Sequence, residues 1–108
     1  MNRFLWWTFI IIVSWMVLES LYVIAHENVH GANCESYLGH PTYEMNYFWG
    51  SSSTICNDIF HLNESQIENL RILNMQTENV GYQLNVIMFT MLFLVYAYGS
   101  AKIFNIVD

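Results

Sequence analysis

The feature that most constrains the fold is a nearly continuous apolar segment close to the start of the chain. The segment 4–25 reads FLWWTFIIIVSWMVLESLYVIA, and a helix needs about 20 such residues to cross the hydrocarbon core of a bilayer. A few polar residues interrupt it, namely Thr8, Ser14, Glu19 and Ser20. The segment is longer than the core of a typical signal peptide, and no small-x-small cleavage site precedes His26. We therefore expect a membrane anchor here.

A second apolar segment lies near the end of the chain. Residues 86–97 are apolar apart from Thr90, and apolar and aromatic neighbours lengthen the segment: Tyr82, Leu84 and Tyr98. Of the 108 residues, 55% are hydrophobic and 11% are charged, a balance on the membrane side of ordinary globular usage, and this length allows one domain. The predicted fold class is a mainly α membrane protein, built as a two-helix transmembrane hairpin whose long helices extend above the bilayer.

Three basic residues set the predicted orientation. Arg3 precedes the first apolar segment and Lys102 follows the second, whereas Arg71 lies between them. Cytoplasmic flanks favour Lys and Arg, so both termini are predicted to be cytoplasmic and residues 26–80 extracytoplasmic. This outer segment carries seven of the nine acidic residues. Its charge argues against nucleic acid as a partner and leaves membrane lipid as the predicted surrounding of the two helices.

The chain has two cysteines, Cys34 and Cys56, and both lie in the outer segment. A disulfide between them would stabilise the fold by about 3 kcal/mol in the chain-entropy model. Compartments outside the cytoplasm permit such bonds, so we predict the disulfide, with two reduced and unrelated thiols as the alternative. Residues 63–65 (Asn-Glu-Ser) match a glycosylation acceptor sequence, a weak pattern that carries meaning only outside the cell.

Turn signals and changes of period divide the chain into three parts. A first helix over 4–38 is predicted to end at a stop signal formed by Gly39 and Pro41, so residues 1–38 combine a transmembrane helix with its outer extension. Residues 39–62 form an extracytoplasmic insert closed by the disulfide. Residues 63–108 form a second helix that begins near Asn63, with a capping box to Gln66, and continues into the second transmembrane helix and a short cytoplasmic tail.

The insert is predicted to contain a small β-hairpin. After Pro41, apolar residues recur at every second position, which indicates a strand with one apolar face: Tyr43, Met45, Tyr47 and Trp49. A turn at 50–52 and a short return strand at 53–56 complete the hairpin. An isolated hairpin is marginal in water, so its aromatic face is expected to pack on another element.

Residues 26–30 read His-Glu-Asn-Val-His and match the pattern HExxH. On a helix, residues four apart share a face, so His26 and His30 can both point at one metal ion. Glu27 projects beside them, where a carboxylate can take a proton from a water molecule in the site. The pattern requires a helical context, and here it continues a predicted helix. We therefore predict His26 and His30 as metal ligands and Glu27 as a catalytic base.

At these three positions the chain resembles the zincin metallopeptidases. The resemblance implies a zinc cofactor and the roles just given for the motif. The subfamilies differ in the third ligand: the metzincin pattern requires glycine at position 33 and histidine at 36, where this chain has Asn33 and Ser36. The gluzincin branch takes a glutamate from a later helix, and Glu78 is the candidate.

The order of the segments favours Glu78 independently of any family. His26 directly follows the first apolar segment, and Glu78 lies three residues before Gly81, where the second begins. In an antiparallel hairpin these two side chains lie at nearly the same membrane depth. The predicted metal site is therefore zinc bound by His26, His30 and Glu78.

The arrangement is also similar to that of small, mainly archaeal membrane proteins. These combine an HExxH helix, a short strand region, cysteines and a later glutamate followed by Val-Gly-Tyr, which here is the segment 78–82. The resemblance spans about residues 25–83. One departure concerns the peptidases: their substrate-binding edge strand usually precedes the HExxH helix, whereas the predicted strand here follows it.

Other interpretations of the same residues stay open. The two motif histidines can form an interfacial hydrogen-bonded pair, and Glu78 can pair with Arg71. Tyr82 can donate a hydrogen bond to an oxyanion or belong to an interfacial aromatic belt. His40 and His61 lie in predicted loops without a ligand spacing and serve only as fallback ligands.

Glu19 is a carboxylic acid inside the first apolar segment, where an ionised carboxylate costs several kcal/mol and usually marks function or a buried partner. It lies seven residues before His26, or about 10 Å along a helix, which is too far to bind the same metal. We expect a protonated carboxyl hydrogen-bonded to Asn85, Gln83 or a neighbouring subunit.

Two functional hypotheses follow. The first is a membrane-anchored, peptidase-like zinc hydrolase with a minimal HExxH site. The second is a non-catalytic accessory subunit of a larger membrane complex, for example an archaeal respiratory or monooxygenase complex, in which the His/Glu cluster is structural. The outer segment is too short to bury a self-sufficient core, so further membrane subunits or a homo-oligomer are the expected protein partners under either hypothesis.

Overall fold

The computed structural model describes residues 2–45 and 52–105. The elements are helix α1 (Asn2–Ser36), strand β1 (His40–Glu44), strand β2 (Ser53–Asn57) and helix α2 (Glu64–Ile103). The two helices form an elongated antiparallel hairpin, 63 Å long and about 20 Å across, and the strands form a small insert beside it. The predicted mainly α hairpin with a two-stranded insert is confirmed.

Both helices have well-defined ends beside the insert, and this end of the hairpin is its outer end. α1 ends at Ser36, two residues earlier than predicted, because Leu38 adopts a left-handed conformation and the amide of Gly39 turns back to the carbonyl of Cys34, 3.1 Å away. α2 begins after Asn63, whose side chain accepts from the amide of Gln66 while the Gln66 side chain accepts from the Asn63 amide. The predicted capping box is therefore present.

The insert is an antiparallel hairpin, with Thr42 paired to Ile55 at the middle of its register. β1 begins at His40 and includes Pro41, which a two-stranded sheet tolerates because each strand has an unpaired edge. The predicted strand positions Tyr47 and Trp49 lie outside the described residues.

Two contacts fasten the insert to α1. The predicted disulfide joins Cys34 to Cys56, whose Cα atoms are 5.5 Å apart. The ring of Tyr43 lies so close to Gly31 that a Cβ atom there would overlap its hydroxyl, so only glycine allows this packing. Tyr43, the described aromatic residue of the predicted apolar face, therefore packs on α1.

Burial is confined to this outer part of the molecule. The buried side chains and glycines of the described residues are Glu27, Gly31, Cys34, Gly39, Leu70 and Gly81. Both helices are long and apolar enough to span a membrane by length and composition. Yet none of the residues in their apolar segments 4–25 and 82–98, the apolar windows, is buried. Large side chains such as Trp6 (66% exposed) and Phe93 (61% exposed) project outward.

Candidate metal centre

The structure brings the three predicted ligands together between the two helices. The Nε2 atoms of His26 and His30 lie 3.1 Å and 2.7 Å from the same oxygen, Oε1 of Glu78. The three possible ligand atoms all lie within 4.8 Å of one another, so they form a group that can hold a metal ion. One helical turn separates the histidines on α1, and the antiparallel course of α2 brings the glutamate to their level.

The group is enclosed on one side and open on the other. The side chains of His26 and His30 are 13% and 11% exposed, whereas that of Glu78 is 64% exposed. Burial raises the pKa of Glu78, but its hydrogen bonds with the two imidazoles lower it more, so the pKa lies below the ordinary value. The carboxylate is therefore ionised at neutral pH and available as an anionic ligand.

A chain of hydrogen bonds determines which nitrogen of His30 carries a proton. The hydroxyl of Thr77 donates to the carbonyl of Leu73 (3.0 Å) and so accepts from the amide nitrogen of Asn33 (3.0 Å). That nitrogen also donates to Oδ1 of Asn74 (3.2 Å), which identifies the Asn74 atom as an acceptor. Nδ1 of His30 lies 2.9 Å from the same Oδ1. It must donate, because a carbonyl oxygen has no proton to give.

This assignment has a direct consequence for the metal group. In a neutral imidazole with Nδ1 protonated, Nε2 carries a lone pair. The lone pair of His30 then faces the Glu78 carboxylate across 2.7 Å, and two acceptors repel each other at that distance. Either a second proton on the ring or a metal cation between the atoms removes the repulsion. Histidine ligands of metals commonly donate their other N–H in this way.

Gly81 on α2 makes room for the imidazole of His26. A Cβ atom at this position would lie 2.5 Å from Nδ1 of His26 and 2.8 Å from the hydroxyl of Tyr22. The Tyr22 ring stacks on the His26 ring with centroids 5.5 Å apart, so the imidazole is held between an aromatic face and the helix backbone. The glycine of the Val-Gly-Tyr sequence is therefore required by a close side-chain approach.

Glu27, the predicted base, is the one buried charged residue of the described chain, at 4% exposure. The hydroxyl of Thr54 on β2 donates to its Oε2. Thr54 lies two residues before Cys56, so the disulfide that fastens β2 to α1 also positions this hydroxyl. Glu27 is not one of the three clustered ligands, but it lines a cleft of about 370 Å³ together with His30 and Glu78.

The remaining predicted residues lie outside the three-ligand group, although Arg71 lines the same cleft. Arg71 hydrogen-bonds to the carboxylate of Glu68, with Nε 2.9 Å from Oε2, so the alternative pairing with Glu78 is wrong. Tyr82 is 73% exposed and is not among the residues that line the cleft. Neither fallback histidine joins the cluster, because His40 lies 3.8 Å from a carboxylate oxygen of Asp58, and His61 Nε2 lies 2.9 Å from the carbonyl of Tyr37.

Sequence reasoning missed the supporting polar residues. Asn33 was noted only as a departure from the metzincin pattern, and neither Asn33 nor Asn74 was predicted to support a ligand. The available signal was spacing: Asn33 lies three residues after His30, and Asn74 lies four residues before Glu78, so each shares a face with a ligand.

The chain was compared with protein-family models, with curated proteins and with solved structures, and no match was found in any of the three.

Proposed function

We propose that this protein is a membrane-anchored zinc hydrolase with a minimal HExxH site on the outer face of the bilayer. The observation that carries the proposal is the convergence of three ligand atoms, two imidazole nitrogens and one carboxylate oxygen, on one point between the helices. The hydrogen bonds through Asn74 support it, because they leave the Nε2 lone pair of neutral His30 directed at an anion, an arrangement that a metal cation between the two atoms or a second proton on the ring would relieve.

Placement in a membrane is supported by the exposure of the apolar windows. The core helix of a soluble protein buries its apolar residues, whereas neither apolar window here contains a buried residue. Lipid would cover these faces without further protein. The basic residues Arg3 and Lys102 flank the two helices, which favours cytoplasmic termini and an extracytoplasmic segment over 26–80. The Cys34–Cys56 disulfide is consistent with an oxidising outer compartment.

The donor set fits zinc. Two imidazoles and one carboxylate are the three protein ligands of one class of catalytic zinc site, which keeps a fourth position open. The exposure of the Glu78 side chain, 64%, leaves the group accessible from the cleft side. Bound zinc would supply a Lewis acid that polarises a carbonyl group and lowers the pKa of a bound water. Hard cations such as Mg²⁺ prefer all-oxygen sites, which this set does not provide.

Glu27 would act as the proton carrier of the site. Its carboxylate lies in the same cleft as His30 and Glu78, and the Thr54 hydroxyl holds one of its oxygens. The other oxygen remains for a proton taken from the attacking water and returned to the leaving group. The resemblance to zincins assigns Glu27 the same role.

The accessory-subunit alternative also has an observation in its favour. Glu27 is 4% exposed and already engaged by Thr54, so its burial suits a structural carboxylate as well as a catalytic one. In that case His26, His30 and Glu78 would bind a structural metal, and the exposed helix faces would contact other subunits of a membrane complex or a second copy of the chain.

Metal analysis of purified variants tests the proposal. The wild-type protein should contain one equivalent of zinc, and His30→Ala should contain none. His61→Ala is the matched control, because His61 lies outside the cluster, and it should keep the metal. Zinc-free wild-type protein, or equal zinc in both variants, would contradict the metal site.

Glu27→Gln separates the two functions. The amide is similar in shape and can still accept from Thr54, but it cannot take up a proton. Hydrolysis of a panel of peptide and ester substrates should fall by at least about 100-fold, within the range for a lost general base. The zinc content and the melting temperature should stay unchanged. A wild-type protein that binds zinc but hydrolyses nothing in the panel would favour the structural subunit.

A further inference from the structure

The cleft beside the His26–His30–Glu78 cluster contains one positively charged side chain. Its walls on α2 are Arg71, Asn74, Met75 and Glu78. Arg71, Asn74 and Glu78 follow one another at helical spacing, so they share one face of α2. The outer segment 26–80 has no other Lys or Arg. The single basic residue of this acidic segment therefore lines the cleft of the candidate metal centre.

The guanidinium group of Arg71 has donors left for a ligand. Its Nε lies 2.9 Å from Oε2 of Glu68, and its Nη2 donates to Oε1 of the same carboxylate, so one edge of the group is occupied by an ion pair. Nη1 donates to the sulfur of Met75, which is a weak acceptor. A guanidinium carries five N–H donors, so one N–H on Nη1 and one on Nη2 have no partner in the described part of the chain. Nη1 and Nη2 make up the second edge of the group, which matches the two oxygens of a carboxylate.

A ligand in the cleft can reach this second edge. The side chain of Arg71 is 58% exposed, and Glu68 is not among the residues that line the cleft. A carboxylate can therefore bind to Nη1 and Nη2 without displacing Glu68 from the first edge.

The distance to the cluster determines the length of a ligand that reaches both. Arg71 lies seven residues before Glu78, or roughly 10 Å along α2. An extended peptide advances about 3.4 Å per residue, so this separation corresponds to about two or three residues.

We propose that Arg71 binds a carboxylate of the substrate, and that the preferred substrates are peptides with a carboxylate two or three residues from the bond that is cleaved. The C-terminal group of a short peptide and an acidic side chain of a longer one supply the same chemistry. The substrate then lies along α2 with its carboxylate at Arg71 and its reacting carbonyl group at the cluster. This inference rests on the proposed function, because the cluster is where that function places the reaction.

Calorimetric binding of hydroxamate peptides to the zinc-loaded protein in detergent micelles tests the inference without requiring hydrolysis. Three probes share a zinc-binding succinyl hydroxamate followed by a dipeptide: Leu–Ala with a free C-terminal carboxylate, Leu–Ala with a C-terminal carboxamide, and Leu–Glu with a C-terminal carboxamide. The wild type should bind a carboxylate probe about 10-fold more tightly than the neutral probe, at the lower end of the range for hydrogen bonds to a charged group. The carboxylate probe that gains more affinity identifies the source of the carboxylate.

Two variants that break the same ion pair should act in opposite directions. Arg71→Gln should bind the three probes equally, and Arg71→Lys should keep only part of the preference, because it retains the charge but not the planar pair of donors. Glu68→Gln should bind the carboxylate probe more tightly than the wild type, because the charge of the guanidinium is no longer neutralised. An ion pair with a purely structural role would make Arg71→Gln and Glu68→Gln alike. Lys102→Gln is the matched control, since it removes a positive charge from α2 outside the cleft, and it should keep the full preference.

Two results would overturn the inference and leave the proposed metal site standing. The first is equal affinity of the three probes for the zinc-loaded wild type. The second is a preference for carboxylate that persists in Arg71→Gln. A wild-type protein that takes up no zinc and binds none of the probes is a distinguishable result, because it defeats the metal site itself and with it the inference that rests on the site.

Discussion

The outer part of the hairpin and its apolar windows are built from the same two helices but are held together differently. In the outer part, the insert, the disulfide and the His26–His30–Glu78 cluster surround a small buried core. In the apolar windows no residue is buried. Hydrogen bonds between the two helices occur there near the N-terminus of α1: the indole of Trp7 donates to the backbone carbonyl of Tyr96, and the hydroxyls of Thr8 and Tyr96 are hydrogen-bonded to each other.

This difference shows where each region finds its stability. The outer part is too small for a large apolar core, so specific polar contacts and a covalent bond hold it. The windows direct their large side chains outward and bury no residue, so internal packing contributes little to their stability. A change in one region should therefore leave the other almost untouched, and the following predictions test that separation in order of decreasing effect.

The largest effect should come from removal of the disulfide. Replacing both Cys34 and Cys56 with serine should lower the free energy of unfolding of the outer part by about 3 kcal/mol, because the open chain gains loop entropy. Amide hydrogen exchange followed by mass spectrometry should show faster exchange in β1, β2 and the adjoining turns of α1. Exchange within the apolar windows should stay at the wild-type rate, and equal acceleration in both regions would contradict the separation.

Gly81→Ala should weaken zinc binding by about 100-fold, at the upper end of the effects seen for groups that orient metal ligands. The added Cβ atom would lie 2.5 Å from Nδ1 of His26 and would force the ring away from Glu78. The matched control is Gly99→Ala on the same helix, whose Cβ would press on Trp7 in the windows. Competition with a chromophoric chelator measures both affinities, and a similar loss in the control would refute the local explanation.

Asn74→Leu should weaken zinc binding less, by about 10-fold, because His30 stays in place but loses the acceptor that fixes its tautomer. Asn74→Asp keeps an acceptor oxygen and should retain the wild-type affinity. Nitrogen NMR of the imidazole in the metal-free protein provides an independent measurement. It should report protonation at Nδ1 in the wild type and in Asn74→Asp, and a mixture of tautomers in Asn74→Leu.

The smallest effect should be the pH dependence that Glu78 contributes to the metal-free protein. Its pKa is lower in the folded state, so the wild type should exceed Glu78→Gln in stability above the ordinary glutamate pKa. This advantage should disappear as the pH falls through the lower folded value. The side chain is 64% exposed, so solvent screening limits the difference to a fraction of about 1 kcal/mol. Urea titrations of both proteins between pH 3 and 7 measure it; an advantage that grows towards low pH would have the wrong sign.

Local patterns in the sequence were sufficient for much of this structure. The two long apolar helices, the capping box at Asn63, the return strand and the Cys34–Cys56 pair all followed from composition, spacing and turn signals. The grouping of His26, His30 and Glu78 was also predicted, because the ends of the apolar segments determine the depth alignment of the two helices.

Only the tertiary structure decided how these residues are supported. The Thr54–Glu27 hydrogen bond depends on where the disulfide lays β2 against α1. The link from Asn33 to Asn74 and the fit of His26 against Gly81 depend on the rotation of each helix about its own axis. Periodicity identifies which residues share a face of one helix, but it does not determine which faces of two helices meet. That choice is made by side-chain packing and hydrogen-bond geometry across the interface, which exist only once the chain has folded.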